Sequence, residues 1–446
     1  MNLGVNYKKY YEYILIPLLF IASFFNQALC FVFTLSLIPL LHNKEQGALK
    51  IILLVSVRSI INPYFTKYFE GDLGIFKWII LFMCSTIIVI FSYKEVLKSR
   101  KIRIVLWLFL VLTVYIVVQS LAFSSYPIVS IAKFASYSFV FFAILMGVSK
   151  NSDIDWLGYL CFIFSTLLFI SCILLFIPSI GYMKNGVGFQ GVFNQPNMMG
   201  IMCPLILTCF LKRKTGNNIF IDILFTLIIL LFAYLSKSRT GMFSIVAIFI
   251  LIFATSKKMS PPLKIVLGCL GITLFCIIYF ASYYVQDAIG SVIFKGGNSF
   301  LFSRQGQVLN FLEKMKYNAF FGTGFLTPFR VEIKSFIFSF DLIVEDGNIL
   351  MATLGYVGII GFVLFCILYG FIFSCNKDKR NWLLFFIPII ISLGEMTFFS
   401  TNNLGCLFYV FYAVYMFPYC NNKESVDEIP AYGVIEARQS EYVKIV

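Results

Sequence analysis

Two short stretches with the same residue pattern carry the cations best suited to bind an anion. Ser236–Gly241 reads S-K-S-R-T-G, with Lys237 and Arg239, and Ser303–Gly306 reads S-R-Q-G, with Arg304. In each stretch a serine can cap a helix while the arginine takes the first helical position. The free N–H groups and positive end of such a helix favour an anion, and a guanidinium adds two parallel donors that match phosphate oxygens. The pattern predicts two phosphate-binding turns.

Two carboxylates, Glu345 and Asp346, stand before an apolar run that begins at Ile349. A carboxylate at the mouth of a membrane helix can be the base for a sugar hydroxyl, and it can equally hold an arginine in place. The alternative without a function is a pair of acids favoured by the helix dipole. For Arg239 the corresponding alternative is snorkelling to the lipid headgroups.

A polar segment, Asn194-Gln195-Pro196-Asn197, stands before another apolar run. It follows Gly186–Gly191, which matches the dinucleotide fingerprint G-x-G-x-x-G but lacks the strand–turn–helix context that this fingerprint requires, so we expect a flexible outer turn. The asparagines either bind sugar or belong to a Pro-containing helix start. We assign Arg239, Arg304 and Asp346 to catalysis, and the residues assigned to substrate binding are Lys237, Asn194, Asn197, Arg330 and Glu345.

Other reactive residue types point to no cofactor and no metal. The 12 cysteines include no C-x-x-C pair, which argues against a disulfide framework or a zinc site. The one histidine, His42, lies beside Lys44 in a loop that we expect to be cytoplasmic, so histidine chemistry is not expected at an outer site. Lys133 interrupts an apolar run, where it either snorkels or faces a polar cavity.

Composition defines the class of protein. The chain is 60% hydrophobic and 13% charged, a balance that excludes soluble globular proteins and predicts a polytopic membrane protein. The net charge of +14 is concentrated in short loops between apolar runs, so membrane topology explains it better than nucleic acid does. The first apolar run has no small-residue cleavage site, so we expect it to be retained.

The basic loops set the topology, because short cytoplasmic loops are rich in Lys and Arg. We expect an all-α polytopic integral membrane protein, a bundle of about 12–14 transmembrane helices with one long, partly helical periplasmic loop and both termini in the cytoplasm. Residues 1–283 would form the N-terminal transmembrane helices and 284–344 the loop. Residues 345–420 would form the C-terminal helices, and 421–446 a cytoplasmic tail.

The apolar runs also place the individual elements. Residues 13–41 form either one long helix or a hairpin of two short ones. Within the loop, a helix over Ser303–Lys316 is expected to dock through Val308, Leu309, Leu312 and Met315. The remaining predicted spans are 51–65, 76–91, 104–121, 128–148, 156–177, 197–211, 220–235, 242–254, 265–284, 349–373, 382–394 and 404–417.

These pieces, in this order, resemble the bacterial O-antigen polymerase and ligase family, which includes the Wzy-type polysaccharide polymerases. The matching motifs are G-V-F-N-Q-P-N before a span, S-R-T-G after a short outer turn, and S-R-Q-G-Q-V-L-N-F-L in the long loop followed by F-F-G-T-G-F. The last is D-G-N-I-L-M-A-T-L-G-Y-V-G-I-I-G from Asp346. The ordered set covers Gly191–Gly361, and the N-terminal half matches only in hydropathy.

The resemblance implies a metal-independent glycosyltransferase at the periplasmic face of the inner membrane. It would act on undecaprenyl-diphosphate-linked glycans, both donor and acceptor, surrounded by membrane lipids and working with a chain-length regulator and a flippase. Arg239 and Arg304 would bind the diphosphate. Ligase relatives have a histidine near the start of the late span where Asp346 stands here, which favours a polymerase over a ligase. A flippase or other transporter of lipid-linked oligosaccharide, or a scaffold of the same system, is the alternative.

Overall fold

The structure, a computed structural model, describes residues 10–69, 73–182, 188–213, 219–256, 305–329, 347–401 and 404–420. These residues are about 79% helical and form no strand, which makes the described part an all-α bundle. The α-helices of seven or more residues, in chain order, are α1 Ile16–Ala22, α2 Gln27–Ser36, α3 Lys44–Arg58, α4 Gly74–Lys98, α5 Arg100–Phe123, α6 Pro127–Lys150, α7 Trp156–Leu174, α8 Pro196–Lys212, α9 Ile219–Leu235, α10 Arg239–Thr255, α11 Gln305–Asn318, α12 Ile349–Ser374, α13 Trp382–Gly394 and α14 Leu404–Met416. Shorter helical segments lie at Tyr11–Leu15, Ile38–Asn43, Pro178–Gly181 and Lys379–Asn381.

Five helices, α4, α5, α6, α7 and α12, are long and apolar enough to cross a membrane. Shorter apolar helices, including α8, α9, α10 and α14, pack among them. A membrane-embedded helical bundle is therefore the fold class of the described residues. The number of crossings and the compartment that each loop faces stay predictions, and the span predicted at 265–284 lies outside the described residues.

The N-terminal apolar run is the hairpin and not the single long helix. α1 ends at Ala22, and the Asn26 side chain caps α2 by accepting a hydrogen bond from the Leu29 amide at 2.8 Å. The Tyr11 hydroxyl donates to the Ser36 carbonyl, which brings the start and the end of the hairpin together.

The span predicted at 51–65 is displaced toward the N-terminus. α3 begins at Lys44 because its charged residues are paired: Glu45 lies 2.8 Å from Lys150, and Lys50 forms an ion pair with Glu12. Residues 59–65 leave the helix and pair with the chain near Phe193, where the backbone amide of Asn62 donates to the Val192 carbonyl at 2.8 Å. Burial of paired charges therefore changed the helix boundary that hydropathy predicted.

Basic side chains gather at one end of the bundle, here called the basic end. Lys150 bonds the Phe91 carbonyl at 2.7 Å, and Lys212 bonds the Arg380 carbonyl. Lys101 joins the ends of two helices by bonding the Cys375 and Met416 carbonyls at 3.0 and 3.2 Å. We call the opposite end, where α8, α10 and α12 begin and α13 ends, the distal end.

The helix α12 is broken at Gly358, which has φ 65° and ψ −173°. Such a break frees backbone groups that must find partners in a membrane. The segment after α11 supplies them: the Gly324 amide donates to the Tyr356 carbonyl at 3.0 Å, and the Ile359 amide donates to the Ala319 carbonyl at 2.9 Å. The break lies about 14 Å along the helix from Ile349, counting 1.5 Å per residue, so this segment reaches into the bundle.

Candidate functional site

The turn between α9 and α10 holds the first predicted phosphate-binding motif in a tight conformation. The Ser238 hydroxyl caps α10 by accepting from the Gly241 amide at 3.3 Å, and Arg239 is the first helical residue, as predicted. The Ser236 hydroxyl accepts from the Ser238 amide at 3.2 Å. Both serines are buried, whereas Lys237 is exposed and adopts a left-handed φ of 53°. Arg239 itself is half-buried.

Glycines from two other segments allow this turn to be buried. A Cβ on Gly200 would overlap the Ser238 side chain, and a Cβ on Gly188 would come within 2.9 Å of the Ser236 carbonyl oxygen. Gly188 has φ 86°, and the following amide, of Phe189, donates to the Leu235 carbonyl at 2.9 Å. The glycine-rich stretch was predicted to be a flexible outer turn; the part that is described, from Gly188, is instead packed against the α9–α10 turn.

The polar segment before α8 reaches the same end of the bundle. The backbone amide of Asn194 donates to the Ile60 carbonyl at 2.9 Å, and the Oδ1 atom of its side chain is buried with no hydrogen-bond partner among the described residues. Pro196 begins α8. Asn197, at the second helical position, donates from Nδ2 to the Glu395 carboxylate at 3.2 Å. The Pro-containing helix start is thus present, and it does not exclude sugar binding by the asparagines.

The end of α13, which carries Glu395, also meets the starts of two other helices. α13 ends at Gly394, where a Cβ would overlap the side chain of Thr240, the residue after Arg239. Asn348 caps α12 by accepting from the Leu350 amide at 2.8 Å, and it donates from Nδ2 to the Leu393 carbonyl at 2.9 Å. The starts of α8, α10 and α12 therefore converge on the last turn of α13.

Four of the predicted site residues, Arg304, Arg330, Glu345 and Asp346, lie outside the described residues. Two residues near them in sequence, Gly347 and Gln307, are described and lie in contact. Gly347 has φ 68° and is packed so closely on Gln307 that a Cβ would overlap the glutamine side chain. The first residue after Asp346 in the chain is therefore in contact with the third residue after Arg304.

The loop helix docks through a face that only partly overlaps the one predicted. Of the four predicted residues, Leu309 and Leu312 are 54% and 46% exposed and do not carry the contact with the bundle, whereas Val308 and Met315 are half-buried. Lys314 is buried instead, with its Nζ 4.8 Å from the Tyr356 ring centroid and its aliphatic stem against Gly355. The prediction did not include Lys314, because a charged residue was expected to face water, whereas a lysine stem can cover apolar surface as a leucine does.

Part of the predicted outer loop is not outside the bundle. Phe325 is fully buried, and its amide donates to the Ser130 hydroxyl at 2.7 Å. Lys133 donates to the Leu326 carbonyl at 2.7 Å, so this lysine holds the inserted segment in the bundle. Neither of the two predicted roles, snorkelling or facing a polar cavity, includes this contact. The F-F-G-T-G-F motif, from Phe320, thus has a packing role within the described structure.

Three polar residues have contacts that the sequence did not predict. Glu395 stands between two short apolar runs, and its signal is a carboxylate in a short outer turn. Asn348 has no predicted role, although Asn before an apolar run is a helix-capping signal. Arg58 is buried and donates to the Ser23 and Thr66 carbonyls at 2.8 and 2.6 Å; a cation inside an apolar run was the signal.

The distal end can thus hold an anion beside a carboxylate. Lys237 and Arg239 supply positive charge at a capped helix N-terminus, and Asn197 and Glu395 supply hydrogen-bonding groups next to it. Among the described residues, no group of three or more His, Cys, Asp or Glu side chains is arranged to bind a metal ion. No known protein-family model matches the chain, and no curated protein matches it in sequence.

Proposed function

We propose that the protein is a polysaccharide polymerase that joins undecaprenyl-diphosphate-linked repeat units at the periplasmic face of a bacterial inner membrane. The observation that carries the proposal is the placement of Arg239 at a Ser-capped helix start beside Asn197 and Glu395. This end is opposite the basic end, and short basic loops favour the cytoplasm. The site would therefore face the periplasm, where the lipid-linked glycan is displayed.

The chemistry is the transfer of a glycan from a diphosphate to a hydroxyl. The oxygen of the acceptor hydroxyl attacks the anomeric carbon of the donor, and the bond from that carbon to the phosphate oxygen breaks. Undecaprenyl diphosphate leaves with the electron pair, and the acceptor proton passes to a base. Arg239 stabilises the charge on the leaving diphosphate, because preorganised cations act most strongly where charge develops. Lys237 adds a second cation at the same turn, and the proposal needs no metal ion.

The residues outside the described structure keep the roles that the resemblance implies. Arg304 would be the second diphosphate-binding arginine, with Arg330 and Glu345 binding substrate and Asp346 a candidate base. The contact between Gly347 and Gln307 supports this grouping, because it joins the chain next to Asp346 with the chain close to Arg304. Partner proteins of such a polymerase, a chain-length regulator and a flippase, belong to the proposal as well.

The broken helix α12 bears on the transporter alternative. Discontinuous helices often bind substrate in transporters through the backbone groups that the break frees. Here the chain itself uses those groups: the Tyr115 hydroxyl bonds the Val357 carbonyl at 2.6 Å, and the Gly324 amide bonds the Tyr356 carbonyl. The break is filled by protein, which favours the polymerase over the flippase.

A deletion strain examined for surface polysaccharide tests the proposal. Loss of a polymerase leaves single repeat units on the lipid A core. Loss of a ligase leaves no polymer on the core. Loss of a flippase removes all surface glycan and traps a pool of lipid-linked glycan inside the cell. Only the first banding pattern, restored by the wild-type chain, supports polymerisation; either of the others would replace it with the corresponding alternative.

A further inference from the structure

Glu395 stands out among the carboxylates that the structure describes. All the others lie toward the basic end or on its loops, except Glu313, which is exposed on α11. Glu395 follows the last residue of α13, and its amide still donates to the Ile391 carbonyl at 3.0 Å. The helix therefore fixes its backbone, while the residue is only partly buried.

Two helix starts hold Glu395 in place: the start of α8, which carries Asn197, and the start of α10, which carries Arg239. Asn197 donates to its Oε1 atom at 3.2 Å from the start of α8. The residue before it, Gly394, is packed against Thr240, which follows Arg239 at the start of α10. A Cβ at Gly394 would overlap Thr240, so the glycine is what allows the end of α13 to approach the arginine-bearing turn.

We infer that Glu395 is the base that accepts the proton of the attacking hydroxyl, an inference that rests on the proposed polymerase function. As the new bond forms between the acceptor oxygen and the anomeric carbon, the hydroxyl proton moves to the carboxylate of Glu395. The bond between the anomeric carbon and the phosphate oxygen breaks, and the diphosphate leaves with that electron pair toward Arg239. Glu395 and Arg239 belong to adjacent helix ends, which suits this displacement. The base acts on the attacking hydroxyl and the cation acts on the leaving diphosphate, the two groups bonded to the anomeric carbon during the reaction.

The hydrogen bond from Asn197 gives this carboxylate a defined direction. A base must lie within hydrogen-bond reach of the proton that it takes, and a glutamate side chain with several free rotamers would meet that condition only part of the time. The side-chain amide of Asn197 donates to Oε1 at 3.2 Å and so limits the orientations that the carboxylate can take. Asn197 is then a positioning residue for Glu395.

The test uses the purified full-length protein with undecaprenyl-diphosphate-linked repeat units. It measures donor binding and the polymer ladder for wild type, Glu395→Gln, Glu395→Asp and the control Glu313→Gln. Glutamine keeps the size and the acceptor oxygen for Asn197 but removes basicity. We expect Glu395→Gln to bind donor normally and to polymerise about 10²- to 10⁴-fold more slowly, the usual contribution of a general base. Glu395→Asp should recover part of the rate, and Glu313→Gln should match wild type.

The outcomes separate this inference from the proposed function. A wild-type protein that binds donor and makes no ladder overturns both. A wild-type ladder with an equally fast Glu395→Gln ladder overturns the role of Glu395 alone. Equal losses of thermal stability and donor binding in Glu395→Gln and Glu395→Asp would assign the residue to structure instead. The same measurement on Asp346→Asn decides between the two acids, because a slow Asp346→Asn beside a normal Glu395→Gln would assign the base to Asp346.

Discussion

Gly241 lies against Gly200 so closely that a Cβ on Gly241 would overlap the Gly200 carbonyl oxygen. This contact joins α10 to α8 two residues after Arg239, and small residues at such crossings let helix backbones approach closely in membranes. The position of the arginine at the distal end therefore depends on a pair of glycines that carry no chemistry themselves.

Replacement of Gly241 by alanine is expected to displace the start of α10. Overpacking of a close contact costs about 1–3 kcal/mol, so Gly241→Ala should lower the melting temperature in detergent and reduce polymer formation. Gly370→Ala is the matched control, because a Cβ on Gly370, in α12, meets nothing within 4 Å. A Gly241→Ala protein as stable and active as the Gly370→Ala protein would show that the crossing tolerates a methyl group.

The conservative change Arg239→Lys should keep the charge and lose most of the activity, since a single ammonium cannot replace a planar fork of two donors. A charge-assisted hydrogen bond contributes about 1.5–3 kcal/mol, which corresponds to a rate loss of about 10- to 150-fold. Arg380→Lys, on an exposed side chain at the basic end, is the control. Polymer of normal length and yield from Arg239→Lys would instead favour snorkelling to the headgroups.

The sequence predicted the class of fold well, because hydropathy alone separates a membrane bundle from soluble proteins. Most helix boundaries lie within a few residues of the predicted spans, and α13 matches its prediction at both ends. α3 was misplaced because the ion pairs of Glu45 and Lys50 join residues distant in sequence. No local pattern can show that a charge will be paired.

Local sequence patterns do not show contacts between distant residues, and this explains which residues of the candidate site could be predicted. Arg239 was predicted at the first position of its helix because a Ser cap is a local signal, and the structure has it there. The contact between Asn197 and Glu395 spans 198 residues of sequence and was not foreseen. The insertion of Phe325 among aromatic side chains was missed for the same reason, since a loop and a buried segment can have the same composition.

Periplasm-specific reporter fusions test the direction of the bundle. We expect activity at Lys237 and Gly297 and none at Arg100, Arg213, Lys258 or Lys379, because the basic loops favour the cytoplasm. The structure groups Lys101, Lys212 and Arg380 with the basic end, whereas Lys237 belongs to the distal end. An active fusion at Arg213 with a silent one at Lys237 would invert the orientation and place the site in the cytoplasm.

Arg58 should stabilise the N-terminal hairpin. It donates to Ser23 and Thr66, and its guanidinium lies 5.2 Å from the ring centroid of Phe24. Arg58→Met keeps the apolar stem but removes the guanidinium donor from the Thr66 carbonyl and leaves the Ser23 carbonyl with only the weak Cys30 thiol donor at 3.1 Å, so we expect a loss of about 2–4 kcal/mol. Thermal unfolding in detergent measures it, with Lys67→Met, an exposed cation in the following loop, as control. Equal melting temperatures for the two variants would show that Arg58 contributes little.

The last prediction concerns pH and follows from the hydrogen bond between Asn197 and Glu395. Asn197→Asp replaces the donor with a second carboxylate of nearly the same shape. Two carboxylates in contact cannot both ionise easily, so the pair keeps one proton to a higher pH than a single carboxylate does. Because the base works only when it is ionised, the acidic limb of the pH–rate profile should move upward by about one to three units.

The variant should therefore lose activity near neutral pH and recover it in more alkaline buffer, where the shared proton is lost. Gln195→Glu is the control: it adds the same charge two residues earlier, on an exposed side chain that makes no capping hydrogen bond to α8. A profile for Asn197→Asp that is lowered at every pH without moving along the pH axis would mean that Asn197 serves the substrate directly and that Glu395 does not titrate in the reaction.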